Sequence, residues 1–539
     1  MTRIAILGGG ISGLTAAYEL ELARKRGAPI DWHLYEATNR LGGIIQTTRH
    51  TTPEGDFILE GGPDGWVTEK PWARELAIEL GLEADLIDSN DATRKTYILR
   101  AGDLLAIPHH MRLMVPEDLS ALEASPLFTA SAKAAYAREL TRANELRAAA
   151  PNTDESIASF VLRHFGEEVL TTLAAPLLSG VFGGDVHKLS VRAIMPQFVT
   201  MEREHGSLIA ALQSKSAHRT STPQPIFTTL RNGMASLIDA LVAKLPAERL
   251  HLNTTAHEIA GDEGEWTAWF ANTDETSRPG LPAMGSFSAR PQVRTLPSND
   301  LDNILVATSL DETRRLLFEL DPVATTFLPS SGSFVSLAPT NASSAILTTF
   351  TWPAALAQTF SLPPGFGFLV PPSDQHPTTT LSSRPERSEV ERPAVQDAST
   401  GKEPQSLAES EPRLLACTFV DQKFPHRAPA GARILRAFFG GPSAETLSSQ
   451  SDATITTAAL TQLRIILGPI PDPAHTQIRR LPHSLPQYEV GHLDRIAQLE
   501  ALVAQTPGLH LLGNAYRGVG LPDLIRDARA TARNLIPNP

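Results

Sequence analysis

Cysteine is almost absent from this chain: Cys417 is the single one among 539 residues. A disulfide within the chain is therefore excluded, and so is a metal cluster held by several cysteine thiolates. Aromatic residues make up only 6% of the sequence, no long block of basic residues occurs, and the net charge is −12. These features argue against a nucleic-acid-binding protein.

Long apolar runs are missing as well. No uninterrupted stretch is long enough to span a bilayer. The apolar N-terminal segment MTRIAILGGGISGLTAAYEL carries one basic residue, Arg3, and is broken by glycines, so it predicts a strand, a turn and a helix rather than a signal peptide. Because scarce cysteine fits a reducing compartment, we expect a cytoplasmic protein. Peripheral contact with the inner face of the cell membrane stays open.

A glycine motif follows the first predicted strand. The segment GGGISG places Gly8, Gly10 and Gly13 in the G-x-G-x-x-G spacing. Gly8 permits a tight turn, Gly10 lets backbone approach a pyrophosphate, and Gly13 lets the helix pack closely on the strand. Glu36 ends the next strand, where a ribose hydroxyl needs an acceptor. A glycine-rich turn beside an ordinary surface Glu is the plainer alternative, but it leaves this coincidence unexplained.

Two further glycine-rich segments bear on which dinucleotide binds. ATNRLGG carries Arg40 and the pair Gly42–Gly43, and EGGPDGW carries a tight turn at Gly61, Gly62 and Gly65. An NAD-dependent dehydrogenase does not need these additional glycine-rich segments along the dinucleotide. No second G-x-G-x-x-G motif occurs in the sequence. FAD is therefore the predicted cofactor, and paired domains for FAD and NAD(P)H are disfavoured.

The C-terminal segment LHLLGNAYRGVGLPDLI predicts a buried strand, a loop and a helix opened by Pro522. Gly518 and Gly520 let backbone approach a ring, and the helix N-terminus would stabilise negative charge on a reduced flavin. An ordinary capped helix accounts for Pro522 but not for the glycines and NAYRG before it. We therefore predict that both ends of the chain bind one cofactor.

The order of elements predicts interleaved domains of α/β and α+β class. A Rossmann-type FAD-binding domain alternates with a mixed-sheet substrate domain and a helical domain. The FAD-binding domain comprises 1–85, 211–310 and 496–539, the helical domain 86–210 and the substrate domain 311–495. Residues 272–300 and 373–412 are polar and rich in Ser, Thr and Pro, which predicts unstructured insertions in surface loops, with a regulatory tail as the competing interpretation.

Two local patterns lead to specific expectations. TDESIASFVLRHFG predicts a helix that is capped at Thr153 or Asp154 and ends at Gly166. SFVSLA, residues 333–338, predicts a strand in the strand-rich part of the chain.

Together these motifs resemble those of the flavin-dependent porphyrinogen oxidases of haem biosynthesis, within the wider monoamine oxidase and phytoene desaturase group. ILGGGISGLTAAYEL, EATNRLGG and EGGPDGW mark the wider group, whereas SGVFGGD…LS, GFGFLVP, PQY…GH and GNAYRGVG are specific to the porphyrinogen oxidases. The resemblance covers nearly the whole chain outside the two insertions.

The resemblance implies roles for single residues. Glu36 is expected at the ribose, Ala256 on the adenine side, and residues 519–521 at the flavin ring. The expected FAD contacts are Gly8, Gly9, Gly10, Ile11, Ser12, Gly13, Glu36, Ala37, Arg40, Gly43, Ile44, Gly62, Pro63, Asp64, Gly65, Ala256, Tyr516, Val519, Gly520 and Leu521. Asp64 stands where some relatives carry a basic residue, which leaves the local substrate contacts open.

Substrate contacts are implied at Arg94, which would face a propionate, and at Phe366 and Leu369, which would clamp the ring. By pattern alone, Arg94 is a solvated arginine and the other two are core residues. No catalytic side chain and no metal are expected, because the flavin carries the chemistry. Noncovalent FAD is expected, since Cys417 lies far in sequence from GNAYRG.

The implied activity is the oxygen-dependent, six-electron oxidation of coproporphyrinogen III or protoporphyrinogen IX to the porphyrin. The implied partners are the porphyrinogen and molecular oxygen, while a homodimer and hand-over to the next haem-pathway enzyme stay open. The alternatives are an amine oxidase or carotenoid desaturase, or a non-catalytic flavin-binding homologue. An amine oxidase needs an aromatic cage, for which GNAYRGVG offers only Tyr516.

Overall fold

The computed structural model describes residues 1–217, 225–262, 264–272, 296–318, 320, 332–371 and 412–537. Most of the two predicted insertions, 272–300 and 373–412, lies outside these ranges. The first prediction is wrong at its ends, because Asn272 closes one strand and residues 296–300 belong to the next. Those two strands pair antiparallel, with the buried Trp266 opposite the buried Leu301, so backbone pairing orders a segment whose polar sequence gives no strand signal.

A parallel sheet of five strands forms the core of the predicted Rossmann-type domain and draws its strands from both ends of the chain. In spatial order the strands are β12 (Leu250–His251), β2 (Ile30–Tyr35), β1 (Thr2–Leu7), β16 (Asn303–Val306) and β22 (Leu509–Leu511). The central strand reads TRIAIL and is buried over its last four residues, which is typical of a parallel strand covered on both faces.

Helices pack on this sheet, and the C-terminal helix contacts the N-terminal one. The helices of this layer are α1 (Ile11–Lys25), α2 (Trp72–Glu79), α12 (Ala235–Val242) and α20 (Leu521–Asn534). Helix α20 buries Leu521, Ile525, Ala528 and Ala532, which share one face at helical spacing. Arg533 Nε donates to Glu19 Oε2 of α1 at 3.0 Å, so α1 and α20 are joined by charge as well as by apolar packing.

A mixed seven-stranded sheet forms the second layer. In spatial order its strands are β21 (His475–Pro486), β17 (Ala342–Trp352), β20 (Arg433–Gly440), β19 (Leu414–Phe419), β18 (Gly367–Leu369), β7 (Thr96–Arg100) and β8 (Asp103–Ala106). Only β18 and β7 run parallel to each other. The sheet takes strands from two of the predicted segments, 86–210 and 311–495, and the five-part domain division stays a prediction.

The remaining elements are short sheets and helices. The strands are β3 (Thr47–Thr52), β4 (Gly55–Glu60), β5 (Trp66–Val67), β6 (Leu86–Asp88), β9 (Met111–Arg112), β10 (Val115–Pro116), β11 (Phe227–Leu230), β13 (Thr254–Asp262), β14 (Glu265–Asn272) and β15 (Leu296–Leu301). Between 120 and 217 the helices are α3 (Ser120–Glu123), α4 (Ala130–Thr141), α5 (Ala143–Ala149), α6 (Ile157–Phe165), α7 (Glu167–Val169), α8 (Ala175–Phe182), α9 (Val191–Ile194), α10 (Pro196–His205) and α11 (Leu208–Ala217). The others are α13 (Leu310–Phe318), α14 (Phe334–Leu337), α15 (Ala354–Ala357), α16 (Val420–Lys423), α17 (Gly441–Ser448), α18 (Asp452–Leu467) and α19 (His492–Ala504). No helix in the described ranges is long and apolar enough to cross a membrane.

Two local expectations are wrong. SFVSLA forms helix α14 rather than a strand, because Ser333 Oγ caps the amide of Ser336 and starts a helical turn. Helix α6 is capped by Ser156, whose Oγ accepts from the amide of Ser159 at 3.1 Å, not by Thr153 or Asp154. The Asp154 carboxylate is used elsewhere: it accepts from Ser190 Oγ at 2.9 Å and from the amide of Gly491 at 2.8 Å.

Candidate functional site

The turn between β1 and α1 is built from glycines that differ in what surrounds them. Gly8 has φ +105°, and a Cβ on it would lie 2.5 Å from Ala307 O. A Cβ on Gly13 would lie 2.0 Å from Gly8 O, whereas a Cβ on Gly10 would meet nothing within 4 Å. The space beside Gly10 faces the start of α1, where the amides of Ile11, Ser12 and Gly13 have no helical acceptors. This combination forms an anion cradle.

Glu36 closes the far side of the same turn. Its Oε2 accepts from the amide of Gly9 at 2.8 Å, and its Oε1 accepts from Thr38 N at 2.9 Å and Thr38 Oγ1 at 2.7 Å. The carboxylate follows β2 directly, before Ala37, and Glu36 O accepts from Thr254 N at 2.8 Å. Strand β13, which holds Ala256, therefore begins beside Glu36. Ala256 O accepts from Arg315 Nη2 at 2.6 Å.

Arg40 shapes the second glycine segment through backbone carbonyls. Its Nη1 donates to Leu41 O at 3.3 Å and to Ile45 O at 3.2 Å, and its Nη2 donates to Gly43 O. Gly43 packs close to Gly10, since a Cβ on Gly43 would lie 3.2 Å from Gly10 Cα. Ile44 leaves 44% of its surface exposed next to this contact. Arg40 thus holds the loop against the cradle.

The turn at Gly62–Gly65 lies over buried charges. A Cβ on Gly62 would lie 2.2 Å from Ile44 O, so this turn packs directly on the Arg40 loop. Asp64 follows Pro63, and its Oδ1 and Oδ2 accept hydrogen bonds from Lys423 Nζ at 3.1 and 3.0 Å. Burial alone would raise the pKa of Asp64, but Lys423 and Arg436 outweigh it and hold that pKa below its usual value. Arg436 Nη2 also donates to Gly62 O.

A second ion pair lies beneath the first. Arg427 and Glu60 are buried and pair through Nη1 and Oε1. Glu60 also accepts from Met234 N at 2.8 Å and from Thr47 Oγ1 at 2.7 Å. Such a buried pair requires partners for its remaining polar atoms, and these bonds supply them on the carboxylate side.

The C-terminal loop returns to the same region, as the sequence predicts for β22 and Pro522. Gly518 has φ +156° and Gly520 has φ −79°, so only Gly518 needs a backbone that disfavours other residues. Val519 and Gly520 are half-buried, and Leu521 starts α20. The side chain of Tyr516 is buried in the core formed with α13 and α19.

The first turn of α20 also carries an acid that the sequence analysis did not consider. Asp523 is buried, receives Lys70 Nζ at 2.6 Å and lies 3.3 Å from Arg526 Nη1. These cations balance its charge, so the positive end of α20 is not cancelled by Asp523.

The three expected substrate residues lie on or beside two neighbouring strands. Arg94 lies two residues before the start of β7, 43% of its side chain is exposed, and its Nη1 is 3.4 Å from Asp91 Oδ2. Phe366 N donates to Lys95 O at 2.7 Å, which places Phe366 beside the residue that follows Arg94. Phe366 is buried, and Leu369 of β18 packs against the helical core. Asn90 N donates to Lys423 O at 3.0 Å and so links this end of β7 to the Asp64 pair.

Sequence reasoning missed several charged residues of this region. Lys423, Arg427 and Arg436 approach Glu60 and Asp64 although they are distant in sequence. The segment VDQKFPHRAP supplies Lys423 and Arg427. The one sequence signal for a buried cation in this segment is that basic residues occur among apolar ones. Cys417 is buried in β19, and burial raises the pKa of its thiol, as expected for an inert core residue.

An extended dinucleotide fits these residues. The evidence is a contrast between glycines of one turn. A Cβ on Gly8 or Gly13 would lie less than 3 Å from backbone atoms, whereas a Cβ on Gly10 would point into open space at a helix N-terminus. Glu36, the Arg40 loop, the Gly62–Gly65 turn and the C-terminal loop could then hold successive parts of FAD.

Comparison with known proteins gives the family. The model of the family "Flavin containing amine oxidoreductase" matches residues 11–348 and 388–536. The chain is 28% identical to coproporphyrinogen III oxidase of Bacillus subtilis over 541 residues, covering 99% of this chain and 98% of that protein. It is 26% identical to chloroplastic protoporphyrinogen oxidase of Oryza sativa over 551 residues, covering 98% and 87%. A crystal structure from Exiguobacterium sp. 255-15, of a protein to which protoporphyrinogen oxidase activity is ascribed, gives a TM-score of 0.71 at 26% identity, covering 99% of this chain and 98% of that one.

Because the family model covers most of the chain, and the cradle has the form such a cofactor needs, the protein belongs to the flavin-containing amine oxidoreductase family and is an FAD-dependent oxidoreductase.

Proposed function

We propose that this protein oxidises a porphyrinogen, coproporphyrinogen III or protoporphyrinogen IX, to the corresponding porphyrin. The observation that carries the proposal is similarity over 99% of the chain to coproporphyrinogen III oxidases of Bacillus subtilis and Staphylococcus aureus. Such coverage includes the sheet and helices outside the cofactor core, where substrate selection is expected.

In the proposed mechanism, the side chains bind and orient FAD and the substrate. Bound FAD would supply the redox chemistry by accepting two electrons at a time from the substrate, with dioxygen as the final acceptor. Arg94 would pair with a propionate, which suits a bidentate guanidinium. Phe366 and Leu369 would hold the apolar ring, and the residues predicted from Gly8 to Leu521 would hold FAD. No side chain of the site is proposed as an acid or base.

The buried cations beside Asp64 also bear on substrate binding. Asp64 lies in the Gly62–Gly65 turn, where FAD contacts are expected, and is neutralised by Lys423 and Arg436. A carboxylate there would otherwise repel an anionic substrate. Neutralisation by two cations therefore supports binding of a substrate that carries propionates.

Turnover of both porphyrinogens tests the proposal. Each is incubated aerobically with the purified FAD-loaded protein, and porphyrin fluorescence and peroxide are followed against heat-inactivated protein, which reports spontaneous oxidation. We expect porphyrin above that background and three peroxides for each porphyrin. The ratio of kcat/KM for the two substrates identifies the physiological one. Oxidation of putrescine or benzylamine without porphyrin formation would overturn the proposal.

Two arginine variants test the substrate contact. Arg94→Gln should raise KM about tenfold, as expected for the loss of one charged hydrogen-bonding group. Arg138→Gln removes an equally exposed arginine from α4 and should leave KM unchanged. Equal KM values for both variants would remove Arg94 from the site.

Location and assembly are further parts of the proposal. We propose a cytoplasmic enzyme, with contact to the inner face of the cell membrane and hand-over to the next haem-pathway enzyme as testable additions. Cell fractionation and size-exclusion chromatography of the purified protein measure the location and the number of subunits.

A further inference from the structure

The motif PQY…GH has no role in the site described so far. The motif spans residues 486–492, and its part after Pro486, residues 487–492, is here named the brace segment; it joins β21 to the start of α19. The flavin loop, defined as residues 514–520, runs beside it. The two segments are joined by backbone and side-chain contacts that involve Tyr488 and His492.

Tyr488 joins two points of the flavin loop. Its hydroxyl donates to Asn514 O at 2.7 Å and accepts from the amide of Gly518 at 2.9 Å. These bonded atoms lie on either side of the bend in the loop. One hydroxyl therefore satisfies a carbonyl and an amide that no regular secondary structure pairs.

His492 holds the middle of the same loop. Its Nε2 lies 2.9 Å from Tyr516 O, and because a carbonyl only accepts, Nε2 must carry the proton. The His492 ring stacks on the Tyr488 ring, with centroids 3.9 Å apart and planes 13° from parallel. His492 is fully buried, and burial lowers its pKa, which favours the uncharged ring in this stack.

The opposite side of the brace segment is anchored to the region of α8 and α9. Tyr488 O accepts from Ser190 N at 2.8 Å, and Gly491 N donates to Asp154 Oδ2 at 2.8 Å. Gln487 Nε2 donates to Phe182 O at 2.8 Å. A Cβ on Gly184 would lie 1.8 Å from Gln487 Oε1, so a glycine at this position leaves room for the Gln487 side chain.

We propose that Tyr488 and His492 are positioning residues that hold the backbone of the flavin loop in the conformation FAD requires. This rests on the proposed FAD contacts at residues 519–521. The loop contains Gly518 at φ +156°, a conformation with little intrinsic preference, so its shape depends on outside partners. Tyr488 and His492 provide these partners through three loop atoms, on Asn514, Tyr516 and Gly518.

The test separates loop positioning from general stability. Apoprotein is prepared from the wild type and from Tyr488→Phe, His492→Leu and His492→Gln, and FAD affinity, visible circular dichroism of bound flavin and apoprotein Tm are measured. Tyr136→Phe is the matched control, because Tyr136 is fully buried and its hydroxyl donates to Met114 O at 2.9 Å, far in sequence from the flavin loop.

Positioning predicts a specific pattern. Tyr488→Phe and His492→Leu should each weaken FAD binding about tenfold, the effect of one or two net hydrogen bonds, and should change the flavin circular dichroism. His492→Gln keeps a donor and should recover part of the affinity. Tyr136→Phe should lower Tm with an unchanged dissociation constant for FAD.

Two outcomes would overturn the proposal. If Tyr488→Phe and His492→Leu lower Tm but bind FAD as tightly as the wild type, the two residues only stabilise the fold. If the wild-type apoprotein does not bind FAD, the cofactor assignment fails and the positioning role fails with it. Normal FAD binding by the wild type without porphyrinogen turnover would count against the proposed substrate alone.

Discussion

The carbonyl oxygen of Gly8 lies so near the α-carbon of Gly13 that a Cβ on Gly13 would be 2.0 Å from it. This contact fixes how closely helix α1 approaches the end of β1. The neighbouring Gly10 has open space at the same position, so adjacent glycines of one motif are required for different physical reasons.

The first prediction compares alanine at these two glycines. Gly13→Ala should displace α1 and lower apoprotein Tm, because overpacking costs about 1–3 kcal/mol. Gly10→Ala should lose less than about 1 kcal/mol of stability but weaken FAD binding at least about tenfold. Thermal melting of apoprotein and FAD titration measure the two effects. Wild-type FAD affinity in Gly10→Ala would contradict the pyrophosphate position.

The second prediction concerns pH and the buried His164. Its Nδ1 lies 3.1 Å from Glu139 Oε1 and its Nε2 lies 3.0 Å from Glu202 Oε1. Burial alone would lower the pKa of His164, but the two carboxylates raise it above the ordinary 6.5. A raised pKa means that this contribution to stability is complete below pH 6.5 and is lost as pH rises through the folded-state value.

The difference in unfolding free energy between the wild type and His164→Gln should therefore shrink above pH 6.5. Its slope is limited to about 1.4 kcal/mol per pH unit for one proton. His205→Gln, at an exposed histidine, serves as the control and should track the wild type at every pH. A pH-independent difference for His164→Gln would show that the buried ring is neutral.

The third prediction concerns the Glu60–Arg427 pair. Arg427→Met should destabilise the protein by about 3–5 kcal/mol, because it leaves the Glu60 carboxylate buried without its cation. Adding Glu60→Gln to Arg427→Met should recover part of that loss. Denaturant titration of the two single variants and the double variant gives the coupling, and strictly additive effects would contradict the pair.

The fourth prediction concerns how flavin is held. Acid precipitation should release FAD into the supernatant, since Cys417, the only thiol of the chain, is buried in β19 opposite Phe368. Cys417→Ala should retain the yellow colour. Flavin that stays with the precipitate would indicate a covalent link.

The fifth prediction concerns the predicted insertion at 373–412, most of which lies outside the described residues. Leu369 pairs with Ala416, so the strands on either side of the segment, β18 and β19, are antiparallel neighbours. Pro412 should be kept, because its carbonyl accepts from Gln462 Nε2 at 2.8 Å. Replacing 373–411 with a short Gly-Ser turn should preserve the flavin spectrum, and a folded protein without flavin would show a structural role.

The elements that the sequence predicts well are those whose signal is local. The Gly8–Gly13 turn, the strand before it and Glu36 after β2 follow from spacing and chain direction, and Pro522 lies in the first turn of α20 as expected. Residues 333–338 and 296–300 were assigned wrongly, because a single serine cap decides the structure of the first and pairing with a neighbouring strand decides that of the second.

The buried charges were beyond reach of sequence reasoning for a different reason. Lys423 and Asp64 are 359 positions apart, and Tyr488 lies 30 positions from Gly518. Their pairing depends on how segments far apart in the chain meet in the fold, which no local pattern encodes. An acid such as Asp64 appears unfavourable beside an anionic substrate until its two cations are known.

The arrangement of the five-stranded sheet also dictates when the cofactor site is completed during synthesis. Strand β16 ends at Val306, but its outer neighbour β22 begins at Leu509. At about 5–20 residues per second, the ribosome needs roughly 10–40 s to make the chain between them. During that interval β16 lacks its partner β22 and α1 lacks its α20 cover, so the proposed FAD site is completed only after the last helix has emerged. We therefore expect flavin to bind the finished polypeptide, and until then the open edge of β16 is a place where another strand can pair.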